Sequence, residues 1–90
     1  MRSAADAAVK VTVRYFAAAR AAAGFDDEII AVAPGTTVGA LVHTLGDRDP
    51  ELAKVLSRCS YLCDGIAVRD LGMTLGDAQT VDVLPPFAGG

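Results

Sequence analysis

The 90-residue chain has few of the residues from which metal and catalytic sites are usually built. It contains one histidine, two cysteines and no tryptophan. A zinc site would have to combine both cysteines with His43, which still leaves the ligand set short of four. Two cysteines also do not make the framework of a disulfide-rich domain. We therefore predict no metal site and interpret Cys59 and Cys63 as small buried hydrophobic residues.

Positive charge and long apolar runs are also scarce. Eight Lys and Arg face eleven Asp and Glu, giving a net charge of −3 and a pI near 4.8. Without a basic stripe, nucleic acid is a disfavoured partner. No window approaches the ~18 apolar residues of a membrane span. Residues 1–8 contain Arg2 and Asp6 but no apolar signal-peptide core, so we interpret them as a flexible leader and expect a cytoplasmic protein.

Catalytic motifs are missing as well. Neither a phosphate-binding loop of the G-x-x-x-x-G-K-[ST] type nor a G-x-G-x-x-G fingerprint occurs. No serine has a nearby His and Asp pair, and both cysteines lie in apolar rather than electropositive runs. We predict a domain with no active site of its own and no bound cofactor.

What is present is enough for one folded domain. The hydrophobic fraction is 52% and the mean hydropathy is +0.38, which argues against disorder. Alternating apolar residues predict a strand at 9–15, and similar patterns predict strands at 28–33 and 80–84. The alanine-rich run 17–23 is too short to be stable alone, so we predict a loop with one helical turn there.

Two helices are predicted between these strands. The first has an apolar stripe from Val38 to Leu45, a threonine cap at Thr36 or Thr37, and Gly46 as its stop. The second is shorter and begins at Asp49-Pro50-Glu51, and its stripe consists of Leu52, Val55, Leu56 and Cys59.

A short hairpin is predicted at 61–68, turning at Asp64-Gly65. In the connection that follows, we expect Leu71, Met73 and Leu75 to cover the core. Placing the last strand parallel to the first gives an α+β fold, with helix packed on one face of a mixed sheet.

The last seven residues, 84–90, read Leu-Pro-Pro-Phe-Ala-Gly-Gly. Pro85 and Pro86 cannot donate hydrogen bonds to a sheet, so the strand should end at Leu84. The six residues beyond it could reach ~20 Å, at roughly 3.3 Å each. We therefore divide the chain into a leader (1–8), a domain (9–84) and an extended tail (85–90). The carboxylate of Gly90 is the one unusual reactive group, although a frayed terminus is the simpler explanation of two final glycines.

The pattern resembles a known family, the small subunits of molybdopterin synthase and related MoaD/ThiS-like, ubiquitin-like sulfur carriers. The tail 84–90 is the specific part of this resemblance. Weaker but correctly ordered matches are the segments 11–16, 19–20, 34–38, 50–52 and 75–77, with Gly24 and Val81. Asp64-Gly65 replaces the more usual Asn-Gly, and Phe87 stands where a smaller residue is common. The second change concerns fit to a partner more than chemistry.

The resemblance implies a β-grasp fold and a sulfur-donating, non-catalytic subunit of a sulfurtransferase complex. A ubiquitin-activating-type enzyme would use ATP to adenylate Gly90, and a sulfurtransferase would supply the sulfur of a thiocarboxylate. The tail, comprising Pro85, Pro86, Phe87, Ala88, Gly89 and Gly90, would then enter the large synthase subunit within a heterotetramer. There the sulfur would pass to cyclic pyranopterin monophosphate during molybdenum cofactor biosynthesis.

Within that resemblance, Gly89 would keep the inserted part slim, the prolines would limit its freedom, and Phe87 would anchor it in an apolar pocket. Two alternatives stay open. One is a sulfur carrier for thiazole, cysteine or another pathway. The other is a protein-modifying ubiquitin-like tag or a plain binding module.

Overall fold

A computed structural model describes residues 8–86, which form one mixed sheet with helices packed on one of its faces. The strands are β1 (Val9–Tyr15), β2 (Asp27–Val32), β3 (Ser60–Cys63), β4 (Ile66–Ala67) and β5 (Thr80–Leu84). The helices are α1 (Ala17–Ala23), α2 (Val38–Gly46) and α3 (Pro50–Leu56). The boundaries proposed for the leader and the tail stay predictions, because residues 1–7 and 87–90 lie outside the described part.

The last strand, β5, lies in the middle of the sheet, whose strand order is β2-β1-β5-β3-β4. It runs parallel to β1, with Val81 opposite Val13, and antiparallel to β3, with Val83 opposite Tyr61. Strand β1 pairs antiparallel with β2 on its other side. This is the ubiquitin-like β-grasp arrangement, and it confirms both the predicted fold class and the predicted parallel pairing.

The core lies between the sheet and the helices, because alternate strand residues point to one face. Val11, Val13 and Val83 are fully buried, whereas Ile29, on the opposite face of β2, is 72% exposed. The remaining buried core residues are Tyr15, Ala19, Val38, Leu41, Leu45, Leu52, Leu56, Tyr61, Cys63, Leu75 and Val81.

Helices α2 and α3 begin as predicted. The Thr37 hydroxyl accepts a hydrogen bond from the Ala40 amide, and the Asp49 carboxylate accepts one from the Glu51 amide. The role predicted for Gly46 was wrong in its detail. Gly46 is the last helical residue and Asp47, in the right-handed region, follows as the cap. A Cβ on Gly46 would lie 3.3 Å from the Ala53 Cβ, so this glycine allows α2 and α3 to approach closely.

The prediction for residues 17–23 was also wrong, since they form helix α1. No side chain caps its start, but Gly24 ends it at φ 91°, a conformation that glycine adopts readily. Ala19 is fully buried and α1 packs beside α3. Tertiary packing therefore stabilises a helix that would be marginal as an isolated peptide.

The connection from 69 to 79 covers the core less than expected. Leu75 is buried, but Leu71 is 50% exposed and Met73 36% exposed. The carbonyls of Met73 and Leu71 instead accept hydrogen bonds from the Val38 and Gly39 amides at the start of α2. Their backbone thus satisfies helix donors that have no intrahelical partner.

The hairpin of β3 and β4 turns at Asp64 and Gly65, both with positive φ (50° and 82°), as the Asp-Gly pair predicts. Cys63 is buried, and Cys59, three residues past the end of α3, is half-buried against the core. Among residues 8–86, no helix is long and apolar enough to cross a membrane.

Candidate functional site

The base of the tail is held firmly by the sheet. Val81 and Val83 of β5 are buried, and the Phe16 amide donates a hydrogen bond to the Val83 carbonyl at 3.2 Å. The strand ends at Leu84, as the following prolines predict. Because β5 has neighbours on both sides, any residue beyond Leu84 starts from a point fixed by the core.

Of the residues predicted to form the site, the structure describes only two. Pro85 is half-buried and Pro86 is exposed. The predicted site residues Phe87, Ala88, Gly89 and Gly90 lie outside the described residues, so their roles stay predictions. The structure therefore places the start of the candidate site at the end of the central strand.

Beside this point lies a shallow groove of about 330 Å³, which we call the tail-base groove. Ala18 of α1 and Val55 of α3 contribute apolar lining, and Lys54 and Arg58 add two positively charged side chains. The full lining is Ala18, Lys54, Val55, Ser57, Arg58, Pro85 and Pro86. No local sequence pattern predicts this groove, because the groove depends on how α1 packs against α3. The alanines of 17–23 were the available signal, since a small side chain at position 18 leaves the space open.

The two thiols are poorly suited to nucleophilic chemistry. Burial raises the pKa of Cys59 to about 11, and its Sγ donates to the Val55 carbonyl at 3.2 Å. Burial, with a smaller effect of the Asp64 carboxylate, also raises the pKa of Cys63. Since the thiolate is the reactive form, neither cysteine is activated at neutral pH.

The most connected polar group, Glu28, has a structural role. Its carboxylate accepts from the Tyr15 hydroxyl at 2.7 Å and from the Arg48 guanidinium at 2.7 and 2.9 Å. This joins β1 and β2 to the turn between α2 and α3. Burial and the Glu28 carboxylate raise the pKa of Tyr15 well above its usual value, so its hydroxyl stays protonated.

On the opposite face of the sheet, the Arg14 Nε lies 3.4 Å from the Asp82 Oδ1, and its guanidinium lies over the Phe16 ring at 5.1 Å. The Asp82 Oδ1 is buried and makes no hydrogen bond within residues 8–86. In the same described part of the chain, no group of three or more His, Cys, Asp or Glu side chains could hold a metal ion.

Comparison with solved structures gives consistent matches over nearly the whole chain. The putative molybdopterin converting factor subunit 1 from Pyrococcus furiosus is 29% identical, with a TM-score of 0.79, over 87% of this chain and 98% of that one. The small archaeal modifier protein 1 from Methanosarcina acetivorans is 26% identical, with a TM-score of 0.77, over 92% of this chain and 98% of that one.

A third structure is a complex of subunits 1 and 2 of the molybdopterin-converting factor from Helicobacter pylori. The matching chain is 21% identical, with a TM-score of 0.69, over 91% of this chain and 100% of that one, which shows a shared fold. Comparison with curated protein sequences gave no significant match. The model of the ThiS family matches residues 13–90, which include both the central strand and the whole tail. This chain is therefore a member of the ThiS family.

Proposed function

We propose that this protein is the sulfur-carrier subunit of a molybdopterin synthase. The observation that carries the proposal is the connection between fold and tail. A central, fully paired strand ends at Leu84 and continues into Pro-Pro-Phe-Ala-Gly-Gly. The thiols of the domain are not activated, so the carboxylate of Gly90 is the group best suited to carry the sulfur. The proposal requires Gly90 to be the last residue of the working protein.

The chemistry begins with activation, because a carboxylate resists nucleophiles until it has a good leaving group. The Gly90 carboxylate attacks the α-phosphate of ATP on a ubiquitin-activating-type enzyme, and pyrophosphate leaves. The terminal sulfur of a sulfurtransferase persulfide then displaces AMP from the acyl carbon and forms an acyl disulfide. A second thiol attacks the sulfur that belongs to the sulfurtransferase, so the S–S bond breaks, an enzyme disulfide forms and the acyl sulfur leaves. The product is a thiocarboxylate at Gly90, and the domain itself needs no bound cofactor.

The tail then delivers the sulfur into the large synthase subunit, where cyclic pyranopterin monophosphate accepts it. Pro85 and Pro86 lower the conformational entropy that is lost on insertion. Gly89 has no side chain and fits a narrow channel, and Phe87 anchors the tail in an apolar pocket. The Helicobacter pylori complex of subunits 1 and 2 supports a large-subunit partner, with two copies of each subunit as the proposed assembly. We place this ATP-dependent chemistry in the cytoplasm.

A second candidate function is protein modification. It is favoured by the 26% identity to the small archaeal modifier protein 1, close to the 29% found for the converting-factor subunit. In that case the activated Gly90 carbonyl would form an isopeptide bond with a lysine amine, again displacing AMP. A carrier for thiazole or cysteine biosynthesis would share every step up to the thiocarboxylate.

The test reconstitutes the protein with ATP, the activating enzyme, the sulfurtransferase and the large subunit from the same organism. We expect molybdopterin to form from cyclic pyranopterin monophosphate, and we expect no product from a variant that lacks Gly90. Thiocarboxylate without molybdopterin would point to another sulfur pathway. Lysine conjugates of this chain would support the modifier function. If neither the thiocarboxylate nor molybdopterin forms, the carrier role is refuted.

A further inference from the structure

The tail-base groove has features of a binding surface that the proposed function does not explain. Its apolar lining includes Ala18, which is exposed, and Val55, which is half-buried. Although the chain is acidic, with a net charge of −3, this rim presents Lys54 and Arg58. Lys54 is weakly paired with Glu51, at 3.7 Å, and both side chains are more than 70% exposed. Within residues 8–86, no carboxylate lies within 4.0 Å of the Arg58 guanidinium.

The position of the groove limits what can bind there. Pro85 and Pro86 form part of its lining, so it is continuous with the base of the tail. Gly90 lies four residues beyond Pro86, and this stretch reaches about 13 Å when it is fully extended. A protein that buries Gly90 in its interior must therefore bring its surface close to Pro86. The tail-base groove lies beside that contact.

We propose that the tail-base groove is a second docking site for the protein that receives the tail. The partner inserts an apolar side chain over Ala18 and Val55, and it places a carboxylate next to Lys54 and Arg58. This inference rests on the proposed function, since it assumes a partner that takes up the tail. Two contacts on either side of the prolines would fix the direction in which the tail enters.

The groove can be blocked without touching the tail. Ala18→Leu fills the space with a residue that is nearly as good a helix former as alanine. Ala40→Leu is the matched control, because Ala40 is an exposed alanine of α2 that does not line the groove. For the charged rim, Arg58→Glu is paired with Arg69→Glu, which reverses an exposed arginine beyond β4. Circular dichroism and urea denaturation confirm that each variant folds.

Binding is measured by calorimetry against the large subunit of molybdopterin synthase from the same organism. We expect Ala18→Leu to raise Kd by about tenfold or more, the effect of losing a central contact. Arg58→Glu should raise Kd by roughly threefold to tenfold at low salt, and less in 1 M salt, where the Debye length is only about 3 Å. Both control variants should stay within about twofold of wild type, as expected for sites outside the contact.

The outcomes separate the two proposals. If wild type binds and Ala18→Leu binds equally well, the docking site is refuted while the carrier function stands. If Ala18→Leu binds the large subunit more tightly than wild type, the chain's own tail occupies the groove. If wild type self-associates and Ala18→Leu does not, a second copy of the chain occupies the groove. Either result overturns the inference. If wild type does not bind the large subunit, the proposed function fails and the inference fails with it.

Discussion

Val83→Ala should separate the stability of this domain from its chemistry. Val83 is fully buried in the central strand, between Tyr15 of β1 and Tyr61 of β3. The substitution removes two buried methyl groups, worth about 0.8 kcal/mol each. A cavity of roughly 50 Å³ adds about 1.2 kcal/mol, so the free energy of unfolding should fall by about 2–3 kcal/mol. Urea denaturation followed by circular dichroism measures this loss.

The matched control is Val32→Ala, at the end of the edge strand β2, where the side chain is only half-buried. Folding removes less of the apolar surface of Val32 from water, so the expected loss in the free energy of unfolding is about 1 kcal/mol or less. Per folded molecule, both variants should accept sulfur at the wild-type rate, because neither changes the tail. Removing Gly90 should abolish sulfur transfer and leave the free energy of unfolding unchanged. If both valine substitutions lower the free energy of unfolding equally, the assignment of Val83 to the core is refuted. If a folded Val83→Ala variant cannot accept sulfur, the domain does more than hold the tail.

The remaining predictions concern the thiols, the tail aromatic and the partly buried hydrogen-bond network around Glu28. Cys59→Ala and Cys63→Ala should each keep sulfur-transfer activity when folded, and loss of transfer in either would show that a thiol takes part. Phe87→Ala should weaken binding of the large subunit by at least ~1 kcal/mol in calorimetry, typical of an anchor, and unchanged affinity would exclude that role. Glu28→Ala should lower the free energy of unfolding by about 1–3 kcal/mol in urea, because the Tyr15 hydroxyl loses its acceptor. The pKa of Tyr15 is higher in the folded than in the unfolded protein, so its contribution to stability is full below about pH 10 and is lost as the pH rises further. A free energy of unfolding that increases above pH 10 would contradict this prediction.

The strands and two of the helices could be predicted because their signals are local. Alternation in Val9–Tyr15 reflects one buried face, and the caps at Thr37 and Asp49 are fixed by neighbouring residues. Helix α1 could not be predicted in the same way. Its seven residues are stabilised by the burial of Ala19 and by packing beside α3, contacts that are distant in sequence.

The candidate site shows the same division. Pro85 and Pro86 predict where β5 ends, since proline cannot donate to a sheet. The groove beside them depends on the distance between α1 and α3, and no local pattern encodes that distance. Because glycine often follows a helix, the sequence predicts that Gly46 ends α2 as a stop signal, whereas in the structure Gly46 allows close contact with Ala53. The unpredicted groove and the wrong prediction for Gly46 have one cause: packing between helices, and not the helix itself, determines the role of a small residue.

The most direct test is the mass of the protein isolated from cells that make molybdenum cofactor. We predict a species in which one oxygen is replaced by sulfur, located by fragmentation at the Gly90 carboxyl group. Fragmentation is essential, because oxidation of Met1 or Met73 adds nearly the same mass. The species should disappear when the activating enzyme is deleted. An unmodified Gly90 in every preparation, or sulfur located only at Cys59 or Cys63, would contradict the account.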